Sequence, residues 1–130
     1  MTTGALGKIY RDGETIVRQG ELGDCMFVIQ QGTVEILREE GGKTFRLAEL
    51  GAGEFFGEMA LCEKAPRSAT VRAVGEVRAL TVDKRTFLRR VQEDPSIAFR
   101  VLQAMSARIR RLDAEVGSLR EKLSTERTET

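Results

Sequence analysis

The stretch Gly53 to Ala73, GEFFGEMALCEKAPRSATVRA, decides how the rest of this 130-residue chain is read. It follows a strand-like run, and at Phe56-Gly57-Glu58-Met59-Ala60-Leu61 it passes into good helix formers, which predicts one short helical turn. The first amides of such a turn lack intrahelical partners and suit an anion. Gly57, without a Cβ, lets a ligand approach the backbone, and Ala60 keeps the same surface small. Nine residues after Glu58 comes Arg67, introduced by Ala65-Pro66 and followed by the small and β-branched residues of a strand, Ser68-Ala69-Thr70-Val71-Arg72-Ala73. Pro66 stiffens that approach and biases Ala65 toward extended backbone.

The chemistry of these side chains points to one kind of ligand. Arg67 presents a planar fork of donors that matches two phosphate oxygens, and Ser68 adds a hydroxyl. One arginine balances the single charge of a phosphodiester. Glu58 would repel that phosphate, but its carboxylate can accept a hydrogen bond from a sugar hydroxyl. Together the two describe a nucleotide. A plainer reading stands beside this one: Gly57 as a turn glycine, Glu58 as an acid favoured by a helix N-terminus, and Arg67 as its ion-pair partner.

The run FGEMALCEKAPRSATVRA resembles the phosphate-binding cassette of cyclic nucleotide-binding domains, which occur in catabolite activator-type regulators, kinase regulatory subunits and cyclic-nucleotide-gated channels. The likeness extends upstream through Asp12-Gly13-Glu14, Gly20-Glu21 and the segment Asp24 to Gly32, so that it covers about Ile9 to Asp94. The resemblance implies that Glu58 takes the ribose 2′-hydroxyl and that Arg67 and Ser68 take the cyclic phosphate. The backbone around Gly57, Met59, Ala60 and Ala69 would complete the cradle. It further implies a C-terminal helix over the pocket mouth, whose position a bound purine biases. Catabolite activator-type proteins place a Thr-Ser pair on that helix against adenine. Matching Pro95 and Val116-Gly117 puts Leu112 and Asp113 at those places, as possible base contacts. Asp113 could accept the adenine amino group or two guanine donors, or pair with Arg108 between helices.

Outward from the cassette, residues 8 to 83 repeat short β-branched runs broken by glycine or charged pairs: Glu14–Gln19, Met26–Gln31, Thr33–Arg38, Thr44–Leu50, Thr70–Val74 and Val77–Val82. Such spacing predicts an antiparallel sandwich or barrel, best matched by a jelly-roll-like β-roll of the double-stranded β-helix kind. Alternation marks Thr33 to Leu37 and Thr44 to Leu47, with Gly41-Gly42 as the hairpin turn between them. At Asp83 the pattern becomes helical, with Asp83 as N-cap of a short helix over 84–92. Asp94 caps a second helix with Pro95 at its first position. The fold class expected is therefore mainly β with C-terminal helices, divided into a β-roll with a short helix (1–94), a long dimerisation helix (95–124) and a disordered polar tail (125–130).

That long helix carries the second strong signal. Leu102, Met105, Ile109, Leu112, Val116, Leu119 and Leu123 are spaced alternately by three and four residues, an unbroken heptad pattern. Branched residues at a with leucine at d favour a parallel two-stranded coil, and Arg108 and Glu115 at g face Asp113 and Arg120 at e of a second copy. A stripe this long outruns what packing on its own small β-roll requires, so a homodimer is expected.

Composition narrows the alternatives. The chain has no His, Asn or Trp, which removes a histidine base and the usual metal ligands, so neither catalysis, a metal nor a cofactor is expected. Cys25 and Cys62 stand apart in apolar surroundings and read as buried thiols rather than a disulfide or metal site. A net charge of +1 argues for no nucleic-acid partner, and the acids at Asp113, Glu115 and Glu121 break up the cluster Arg108, Arg110, Arg111. Gly42-Lys43-Thr44 lacks the earlier glycine of a phosphate loop, because position 37 is leucine. No apolar run is long enough to span a bilayer, and the first residues lack a basic region followed by an apolar one, so a cytoplasmic protein is expected. The expected function is a sensor of a cyclic mononucleotide, cAMP ahead of cGMP, that signals as a homodimer through its C-terminal helix to an unnamed downstream protein. Because the chain stops about seven residues after Leu123, direct DNA binding is not expected. The rival readings are a ligand-free dimerisation module with a degenerate pocket and the sensor part of a longer transcription regulator.

Overall fold

The computed structural model describes residues 6–129. The elements run β1 (Lys8–Tyr10), β2 (Thr15–Val17), β3 (Leu22–Gly23), β4 (Cys25–Glu40), β5 (Lys43–Leu50), β6 (Phe55–Phe56), α1 (Met59–Cys62), β7 (Ala65–Pro66), β8 (Thr70–Asp83), α2 (Lys84–Glu93) and α3 (Ser96–Glu129). Two compact units divide at Phe87 and Leu88, inside α2.

The first unit is built on two long antiparallel strands, β4 and β8, which pair from Cys25 opposite Asp83 to Leu37 opposite Thr70. Other strands use the remaining edges: β1 and β2 on β8, β5 and β6 on β4, with β3 and β7 forming a separate two-stranded ribbon. The four runs expected as separate strands at Met26–Gln31, Thr33–Arg38, Thr70–Val74 and Val77–Val82 are thus two continuous strands. Gly32 and Gly75 look like breaks in the sequence, but pairing between the two strands carries each past its glycine, with register shifts around Gln31. Buried side chains from both strands meet in one core, centred on the fully buried Ile29, Val34 and Val77.

The β4–β5 hairpin closes at Gly41-Gly42, both with positive φ (59° and 77°), as a two-residue turn of the I′ kind requires. Along β5 the expected alternation does not become burial. Phe45 and Leu47 are 48% and 52% exposed, and only Leu50 is buried. Phe45 pairs with Arg38, beyond Leu37, the last buried residue of β4, and Leu47 falls at the register shift between the pairs Ile36–Ala48 and Leu37–Arg46.

Both helix starts follow the sequence. Asp83 Oδ1 accepts from the Thr86 amide at 2.8 Å, capping α2. Asp94 Oδ1 accepts from the amide and hydroxyl of Ser96 at 3.1 and 2.6 Å, and these bonds hold its carboxyl below the usual carboxylate range. In the second unit α3 runs on through Glu129, so the residues 125–129 expected as a tail are helical, and residue 130 lies outside the described residues. Thr125 supports the continuation by donating its hydroxyl to the Glu121 carbonyl at 3.0 Å. No described helix is long and apolar enough to cross a membrane.

Candidate functional site

The cassette is pinned at both ends before any side chain acts. Its beginning is tied to β4: the Gly53 amide donates to the Ile29 carbonyl at 2.8 Å, and the Ile29 amide donates to Glu54 at 2.9 Å. Phe56 pairs with Phe27, and their rings stack with centroids 5.0 Å apart. That stack fixes the point at which the chain leaves β6, and Gly57, with φ at 77°, turns it into α1. The helical turn expected from the sequence is therefore present, with Glu58 at its N-cap. Its leading amides are partly used: Ala60 donates to Gly57 at 3.2 Å and Leu61 to Glu58 at 3.0 Å.

The other end is fixed at Arg67. Its amide donates to the Glu21 carbonyl at 2.8 Å, and its carbonyl accepts from the Gly20 amide at 2.9 Å. With backbone held on both sides, the half-buried side chain reaches back across the cassette. Nη1 donates to the Gly57 carbonyl at 3.1 Å and Nη2 to the Cys25 carbonyl at 2.7 Å. The guanidinium carbon lies 5.9 Å from the centre of the Phe27 ring, within reach of a cation–π attraction. A guanidinium has five N–H donors, so these two carbonyls leave others available to a ligand.

Next to it, the Cys25 thiol lies 3.8 Å from Nη2. Burial pushes this thiol above its ordinary pKa; Arg67 pulls the other way and Asp24 adds to the rise. Burial wins, so the group is a neutral thiol at physiological pH. Cys62, expected from the sequence to be a buried thiol, is instead exposed, because the short helix α1 that carries it buries none of its residues.

A cavity of about 220 Å³ opens between the two arms of the cassette. Six expected ligand-binding residues line it: Gly57, Glu58, Met59, Ala60, Arg67 and Ser68. Ala69, the seventh, is not in its wall. Glu63, Ala65 and Pro66 are in the wall without having been singled out as contacts. The volume falls below the roughly 300–1,000 Å³ of sites that enclose a drug-sized molecule. Leu112 and Asp113, the possible base contacts, lie exposed on α3 in the second unit.

The cyclic nucleotide-binding domain family matches residues 8–94, two-thirds of the sequence. The chain belongs to this family. The chain is 33% identical to the cyclic AMP receptor protein of Thermus thermophilus over 113 residues, 86% of this chain and 52% of that protein. A regulatory subunit of cAMP-dependent protein kinase from Mucor circinelloides f. lusitanicus is 41% identical over 86 residues, 65% of this chain and 20% of that protein. This chain thus spans about half the length of the first relative and a fifth of the second. Among solved structures, the Thermus thermophilus catabolite activator protein superposes with a TM-score of 0.78 over 86% of this chain and 53% of that one, at 33% identity. The EAL enzyme Bd1971 in its cAMP-bound form gives 0.61 over 80% of this chain and 28% of that one, at 34% identity. The β-roll expected from the sequence is the fold of the family.

Three contributors escaped the sequence reading of the site. Cys25 and Phe27 touch Arg67 from β4, and Gly23 lies against it from β3. All three are forty or more residues away along the chain. Only the pairings of β3 with β7 and of β4 with β6 bring them to the cassette.

Proposed function

We propose that this domain is the receptor of a cyclic mononucleotide and a regulatory rather than a catalytic module. One observation carries the reading: the wall of a single small cavity combines Glu58, Arg67 and Ser68 with the backbone of Gly57. Arg67 and Ser68 bind the cyclic phosphate, and Glu58 accepts the ribose 2′-hydroxyl. With Arg67 already held by the carbonyls of Gly57 and Cys25, the charge awaits the phosphodiester in place.

cAMP is the first candidate because the sequence relatives are named for it. The Bd1971 enzyme has cGMP-bound and cAMP-bound forms, so cGMP stands as the second candidate, and Leu112 and Asp113 are the candidates for contact with the base. A homodimer through α3 is supported by the exposure of its stripe: Leu102, Ile109, Leu112, Val116, Leu119 and Leu123 are 47–61% exposed in one chain, and Met105 is half-buried. Single exposed apolar residues are ordinary, whereas a heptad row along a helix of about 51 Å asks for a second helix. Ligand then shifts the helix arrangement by binding one arrangement better than the other.

Titration calorimetry with cAMP and cGMP on protein freed of co-purified nucleotide is the test. Saturable binding at one site per chain is expected. No heat with either nucleotide would leave the ligand-free dimerisation module in its place.

A further inference from the structure

Gly23 is a glycine whose backbone does not require one. Its φ lies outside the left-handed region, it sits in β3 opposite Ala65, and it is buried. An alanine could adopt this backbone freely. What it could not do is find room, because a Cβ built here would overlap Nε and the guanidinium carbon of Arg67 and approach Nη2 to 2.7 Å. A second glycine lies against the same group, since a Cβ on Gly57 would be 2.6 Å from Nη1. Gly57 is already required by its positive φ, so only Gly23 has clearance as its sole reason.

Resting on the receptor reading above, we propose that Gly23 is a positioning residue: the space left by its missing side chain is the slot in which the Arg67 guanidinium is held against the carbonyls of Cys25 and Gly57, ready for the phosphate. The strand pairing makes this a local device. Gly23 lies opposite Ala65, and Arg67 follows two residues later, so the arginine side chain folds back over the strand beside its own. Filling the slot pushes the fork off both carbonyls while leaving its charge in the cavity. The binding site would then keep its residues and lose their geometry.

The experiment uses the whole chain, freed of nucleotide, in four forms: unaltered, Gly23→Ala, Arg67→Lys and the two substitutions combined. Lysine keeps the charge but has no fork: its Cε and Nζ stand at the chain positions of Nε and the guanidinium carbon, yet without two Nη atoms bound to the carbonyls of Gly57 and Cys25 they can turn away from a Cβ at position 23. Gly23→Ala should weaken calorimetric binding of the preferred nucleotide, cAMP or cGMP, by about tenfold or more, the scale of displaced charge-assisted bonds. On the Arg67→Lys background the same change should alter affinity by no more than about twofold, the range of independent effects. Equal losses on both backgrounds, or no loss on either, would overturn the proposal. If Gly23→Ala alone does not fold, recovery of folding in the double variant supports the slot, and an equally unfolded double variant refutes it. If the unaltered protein binds neither nucleotide, the receptor reading fails separately. Thermal midpoints without nucleotide then decide the slot, because Gly23→Ala must lower the midpoint more beside arginine than beside lysine.

Discussion

Replacing Arg67 with alanine should damage the protein twice, once without ligand and once with it. In the unliganded structure the guanidinium donates to Gly57 at 3.1 Å and to Cys25 at 2.7 Å, tying the turn before α1 to the start of β4. Charge-assisted bonds contribute about 1.5–3 kcal/mol each when buried. The side chain is half-exposed, and water can replace it at the carbonyls, so about 2 kcal/mol for the pair is the appropriate figure. For a domain near this size, 1 kcal/mol moves the thermal midpoint by about 4–8 °C, which predicts a fall of about 10 °C. The second effect is on ligand: a phosphodiester entering without its cation should bind more than about a hundredfold more weakly. Thermal denaturation followed by circular dichroism, with and without saturating cAMP, reads both. The unaltered protein should gain stability from nucleotide, whereas the variant should start lower and gain almost nothing. An unchanged midpoint without nucleotide would refute the tie to Gly57 and Cys25. An undiminished rise with cAMP would refute the phosphate role.

Glu58→Ala should reduce affinity for cAMP by about tenfold while barely changing that for 2′-deoxy-cAMP, because only the former offers the hydroxyl; equal losses in calorimetry would remove Glu58 from the sugar. Leu112→Asp puts a charge at a d position of the α3 stripe and should weaken self-association by more than about a hundredfold, giving monomers in sedimentation; a persistent dimer would place the interface elsewhere. The two thiols should separate by reactivity at mildly alkaline pH. Cys25, whose pKa is raised by burial, carries less thiolate and is half-covered, whereas Cys62 is exposed. Iodoacetamide should therefore label Cys62 first, and Cys25 should catch up only as pH climbs above the ordinary thiol range; equal labelling rates by mass spectrometry would contradict the assignment.

What could be read in advance, and what could not, follows from how far apart in sequence the partners lie. Glu58 and Arg67 are nine residues apart in one cassette, so their chemistry was visible in a single line of text, and the cavity wall joins them. The helix starts at Asp83 and Asp94 were equally local, because a cap acts within three residues. The continuity of β4 and β8 was not local. It depends on each strand finding the other across the sheet, and that pairing overrides the glycines that punctuate them. The partners of Arg67 belong to the same class, since Cys25 is 42 residues away and is brought close by strands that no local pattern aligns. These non-local contacts give the local motif its strength. A free arginine side chain loses about 2 kcal/mol of rotamer freedom when it is fixed, and an interface must otherwise supply that cost when ligand arrives. Here Cys25, Gly57, Phe27 and the space at Gly23 have fixed it already. The cassette names the ligand's chemistry, and the strands around it determine how much of the binding energy is left for the nucleotide itself.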